Sequence, residues 1–104
     1  MARETFTYHM DWRCYRIAVL YTPDYFPALD DNQLPSAHIA VTVIDPPDAP
    51  LPISQTGYRS HWTHPAVVSA EGGPVAYVRA WLDHAAQSDA WKAIEAQGLQ
   101  LSLL

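Results

Sequence analysis

Only one cysteine, Cys14, stands among the 104 residues, so no disulfide can form within the chain and no cysteine-rich zinc site can be built. A reducing compartment is the expectation that follows. Positive charge is also scarce. Six Lys and Arg against eleven Asp and Glu leave a formal net charge of -5, which disfavours a surface that neutralises many phosphates and argues against direct binding of nucleic acid. Only 16% of residues are charged and the acids are spread out, which also argues against an acidic mimic of DNA. Long hydrophobic runs are missing: Ile17 to Tyr21 is far too short to span a bilayer. The opening MARETFTYHM has no apolar stretch of the secretory kind. Cytoplasmic residence, with no membrane contact, is expected.

What the chain does have is apolar and aromatic mass, 49% and 12% of its residues, ample for one packed core at this length. The first half has the period of two that marks half-buried strands. Phe6, Tyr8 and Met10 alternate with Thr7 and His9, and Tyr15, Ile17, Val19 and Tyr21 continue the pattern after a polar break at Asp11 to Arg13. A hairpin between these runs is predicted, with His38 to Ile44 as a third strand. Between them, TPDYFPALDDNQLPS reads as a long loop because its prolines cannot donate to a ladder. Asp45 to Pro52, with four prolines in eight residues, reads as an extended connector.

The second half turns to a period near 3.6. Pro74 after Gly73 suits a helix start, and Val75, Val78, Leu82 and Ala85 recur on one side. Ser88 and Asp89 can cap a second short helix carrying Trp91 and Ile94, which Gly98 would end. The expected fold is α+β: a single domain over residues 1–98, an antiparallel sheet of three to four strands followed by two C-terminal helices packing on one face, and a peptide tail over residues 99–104.

The chemistry-bearing residues are sparse. His61 and His64 lie three apart, but Pro65 follows directly and argues against a helix that would bring them to one side. No metal or other cofactor is expected. Cys14 between Arg13 and Arg16 matches no nucleophile pattern and reads as a small buried hydrophobe. Asp30 and Asp31 read as a solvated turn rather than an acid/base pair. Tyr77 and Trp81, four apart, suit core packing. Tyr58, Arg59, Ser60 and His61 form the one segment that could cradle an anion or small ligand, through a guanidinium, a hydroxyl, an imidazole and backbone N–H groups. That reading, with or without catalysis, is the alternative to a non-enzymatic function.

The last five residues, Gln100, Leu101, Ser102, Leu103 and Leu104, resemble the short peptide by which many bacterial proteins dock on the DNA polymerase sliding clamp: a glutamine, a leucine, a serine or aspartate, a leucine and usually a phenylalanine. The resemblance implies that Gln100 bonds at the pocket rim, Leu101 supports an extended backbone, and Leu103 with Leu104 fills an apolar subsite. Leu104 in place of phenylalanine implies weaker binding. The same residues also fit a last strand, because Leu99, Leu101 and Leu103 alternate with Gln100 and Ser102. A second stretch, PLPISQTGYRSHW, resembles small uncharacterised bacterial proteins of plasmids and integrative elements. Together these imply a non-enzymatic adaptor or modulator with the sliding clamp as partner, in replication, repair or mobile-element maintenance. They leave the oligomeric state open.

Overall fold

The computed structural model of the chain describes residues 3–26 and 35–102, the last five of these by backbone alone. Four strands, β1 (Phe6–Trp12), β2 (Tyr15–Phe26), β3 (Ser36–Asp45) and β4 (Tyr58–Thr63), form one antiparallel meander in the order β1-β2-β3-β4. Three helices follow, α1 (Pro65–Ala70), α2 (Pro74–Ala85) and α3 (Asp89–Ser102). The α+β architecture is the one expected. The structure adds β4 and α1, and it lengthens the first two strands.

Each addition has a local cause. Trp12 pairs with Tyr15 across the two-residue turn Arg13-Cys14, and its ring is buried, so the polar letters Asp11 and Arg13 flank a strand residue instead of ending the strand. Arg13 takes a φ of 54°, in the left-handed region; its guanidinium lies 4.5 Å from the Trp12 ring centre and pairs with the Glu95 carboxylate. β2 runs on past Pro23 because the ladder shifts register between Thr22 and Phe26, where the missing N–H of proline costs no paired bond. Pro65, which keeps His61–Thr63 out of a helix, is itself the first residue of α1, the helical position for which proline is preset. α3 begins as anticipated, with the Ser88 hydroxyl accepting from the Trp91 N–H at 3.1 Å. It does not end at Gly98, however: its backbone stays helical to Ser102.

The core lies between one sheet face and the helices. Ile17, Val19, Ile39 and Val41 are fully enclosed there, against Val68 of α1 and Val78 and Leu82 of α2. The alternation of apolar side chains in β2 and β3 therefore has the physical meaning assigned to it, one buried face per strand. In β1 only Met10 and Trp12 are enclosed, while Phe6 and Tyr8 are exposed at 43% and 36%. The helices cover only the turn end of that hairpin.

A cluster of three rings joins the hairpin to α3. Trp12 lies 6.1 Å from Tyr15 and 6.0 Å from Trp91, centre to centre, and the Trp12 indole N–H donates to Asp83 Oδ1 at 2.8 Å. Aromatic pairs at this separation add to the burial of their surfaces. Beyond Trp91 no residue whose side chain is described, Lys92 to Gln97, is buried.

Candidate functional site

The segment Tyr58–His61, the candidate cradle for an anion or small ligand, is the start of edge strand β4. A strand sends successive side chains to opposite faces. Arg59 pairs with Val41 and His61 with Ile39, both enclosed under the helices, so Arg59 and His61 point to the helical side. Tyr58 and Ser60 pair with Thr42 and Ala40 and point to the bare side. The strand divides the four residues between its faces, Arg59 with His61 on one and Tyr58 with Ser60 on the other.

On the helical side His61 meets α2. Its Nε2 lies 2.9 Å from the Tyr77 hydroxyl, its ring centre lies 4.4 Å from that of Trp81, and the Arg59 guanidinium sits 5.9 Å from the Trp81 ring centre. Tyr77 and Trp81, one helical turn apart, pack on the edge of the core as expected. Burial lowers the pKa of His61 from its ordinary value, with the positive charge of Arg59 and then His38 adding to the effect. The neutral imidazole is thus the favoured form near pH 7. A cleft of about 270 Å³ lies beside it, lined by His61, Glu71, Tyr77, Ala80 and Trp81. That is just under the lower end of the range for small-molecule pockets.

His64 stands apart from His61. It occupies the cap position of α1, with its Nδ1 3.0 Å from the Pro35 carbonyl oxygen. Among the described residues there is no group of three or more His, Cys, Asp or Glu placed to hold a metal. Cys14 is exposed in the β1–β2 turn and not buried as expected, because it is one of the two residues that reverse the chain. Asp30 and Asp31 lie outside the described residues, as do Leu103 and Leu104. Gln100, Leu101 and Ser102 are helical in backbone, which differs from both the extended hook and the last strand anticipated for them.

On the bare side of the sheet, one group of residues was not anticipated. Tyr25, Phe26, His38 and Trp62 form a connected set of rings: Phe26 stacks on Trp62 at 5.5 Å, and Tyr25 meets Trp62 edge-on at 4.8 Å. Arg3 braces it, with its guanidinium 4.2 Å from the Tyr25 ring centre and its Nε–H donating to the Tyr25 carbonyl at 2.7 Å. His38 Nε2 lies 2.6 Å from the Ser60 hydroxyl. Only the strand register brings these residues together.

A four-strand meander backed by helices on one face and bare on the other, with no converging set of catalytic side chains among the described residues, defines a small α+β domain. The chain belongs to the KlcB third domain family, whose model matches residues 5–91, a domain associated with plasmids and other mobile elements. No curated protein and no solved structure matches the chain at a significant level. The match stops at Trp91, which is also the last buried residue among those whose side chains are described. Among the described residues no helix is long and apolar enough to cross a membrane.

Proposed function

We propose that the chain is a non-enzymatic adaptor or modulator, with residues 100–104 docking on the bacterial sliding clamp in the replication or maintenance of a mobile element. The observation that carries this reading is that, among the described residues, no side chain after Trp91 is buried, although Glu95 still pairs with Arg13. The side chains of residues 92–97 are exposed or only half-buried, and the family match has ended. A peptide held by another protein needs anchors that its own fold does not use.

The helical backbone of Gln100–Ser102 is not an obstacle in energy. Each residue at a helix end contributes at most a few tenths of a kcal/mol through propagation. Gly98 inside that end weakens it by about 1 kcal/mol relative to alanine. Unwinding from Gly98 onward therefore costs about 1 kcal/mol or less. Burying two leucine side chains yields about 3–6 kcal/mol before ordering costs, which sets micromolar or weaker affinity for a single tail.

Titration of purified clamp with the intact chain and with a chain ending at Gln97 tests the reading. Binding is expected for the first and not for the second, with the two melting within a few degrees of one another. Leu103→Ala combined with Leu104→Ala should abolish binding, and Leu104→Phe should tighten it through the larger buried area. An intact chain that leaves the clamp unbound, or a truncated one that binds equally well, would remove the proposal.

A further inference from the structure

The face of the sheet turned away from the helices is itself built for contact. Three successive rows cross it from β2 to β4: Thr22–His38–Trp62, Leu20–Ala40–Ser60 and Ala18–Thr42–Tyr58. No Lys, Arg, Asp or Glu occupies any of these nine positions, in a chain of net charge -5. Large apolar side chains stand open on it: Phe26 at 53%, Tyr58 at 51%, Trp62 at 49% and Leu20 at 36% exposure. Soluble chains scatter such residues singly; gathered on one uncharged face they mark an interaction surface.

We propose that this face pairs with the same face of a second copy, giving a two-fold dimer in which two sheets stack. Three features of the face single out that occupant. The first is charge: two copies of equal negative charge repel least when they meet through uncharged rows such as these. The second is relief. The wall of Tyr25, Phe26 and Trp62 rises at one end, braced by Arg3, while Ala18, Ala40 and Thr42 form a narrow low floor on β2 and β3, bounded by the open side chains of Leu20 and Tyr58. A two-fold axis lying between the faces and across the strands sets each wall on the other copy's floor, the self-complementary arrangement of an isologous interface. The same rotation carries Arg3 of each copy toward the far end of the other, where Asp11 and Asp45 outnumber Arg16.

The third is area. Ten residues of β3 at about 3.3 Å each and four strands about 4.8 Å apart give a face of roughly 500 Å² in projection. Two such faces bury on the order of 1,000 Å² even before side-chain relief is counted, which reaches the range of specific interfaces. Trp62, packed against Tyr25, Phe26 and His38, has the composition of an energetic anchor. Stacked sheets lie about 10 Å apart, close enough for such a ring to reach the opposing floor.

Sedimentation equilibrium over a range from about 1 to 100 µM, where interfaces of this size normally associate, tests the dimer. The expected mass at the upper end is twice the chain's 11.6 kDa. Trp62→Ala and Leu20→Lys should each raise the dissociation constant at least tenfold, with circular dichroism melts showing that both remain folded. Glu71→Lys, on the helical side, should leave the dimer intact, as should truncation at Gln97, which separates this proposal from the clamp reading. A monomer throughout the range would overturn the inference, and so would a dimer indifferent to both Trp62→Ala and Leu20→Lys.

Discussion

Trp12 and Trp91 offer a controlled comparison within one core. Both are 2% exposed and their rings are neighbours, yet their indole N–H groups differ. That of Trp12 donates to Asp83, whereas Nε1 of Trp91 is buried without a partner among the described residues. Replacing either by phenylalanine removes a similar volume, and a loss of roughly 40 Å³ corresponds to about 1 kcal/mol of cavity cost. At Trp12 the substitution also breaks a hydrogen bond to a carboxylate, which adds about 1–1.5 kcal/mol with Asp83 partly hydrated. At Trp91 it removes an unsatisfied donor whose burial costs about 1–3 kcal/mol, offsetting the cavity. Trp12→Phe should therefore destabilise by about 2 kcal/mol and Trp91→Phe by about zero. Urea unfolding followed by circular dichroism reads the difference as a separation of about 1–2 M in midpoint, for a slope near the lower end of the usual range. Trp91→Ala, which empties the site, should cost about 3–5 kcal/mol and shows that the position matters. If Trp91→Phe proves as costly as Trp12→Phe, the assignment of the orphan N–H as a destabilising group is wrong.

Two further outcomes follow from other parts of the fold. Gly57 has a φ of +80°, and a Cβ there would lie 2.6 Å from both the Ala49 carbonyl oxygen and Val43 Cγ1, so Gly57→Ala should cost more than about 2 kcal/mol in a thermal or urea melt; a neutral result would contradict the close approach. His61 and His38 both have pKa values lowered by burial from the ordinary 6.5, so below that pH the unfolded chain binds more protons than the folded one. Stability should hold above pH 6.5 and decline as the pH falls below it, and His61→Gln should make that decline shallower when melts at pH 7 and pH 5 are compared.

Much of the fold was legible because its signals are local. The apolar alternation of Ile17, Val19, Ile39 and Val41 specifies which face is buried, and Gly73-Pro74 and Ser88 mark helix starts whatever the distant sequence does. β4 was not legible because neither of its faces is purely apolar: Arg59 and His61 face the helices while Tyr58 and Trp62 face outward. An edge strand half-covered on one side has no clean period. The contact of His61 with Tyr77 and Trp81, and the wall formed by Tyr25, Phe26 and Trp62, depend on register and on helix placement, which no short window contains. The tail's motif is plain as five letters, but nothing in those letters announced the helical backbone of Gln100 to Ser102.

The joint between the first hairpin and the last helix bears on how the chain is made. Trp12 and Asp83 are 71 positions apart, and Trp91 joins them later still. During synthesis the β1–β2 hairpin emerges early but must wait with one end uncovered until α3 has left the ribosome. Contacts of such long sequence separation slow folding toward the millisecond-to-second range, and an uncovered hairpin is exposed to stray pairing in that interval. Only when Trp91 arrives can the core close, so nascent chains stalled before that residue should be the form most readily captured by chaperones or proteases.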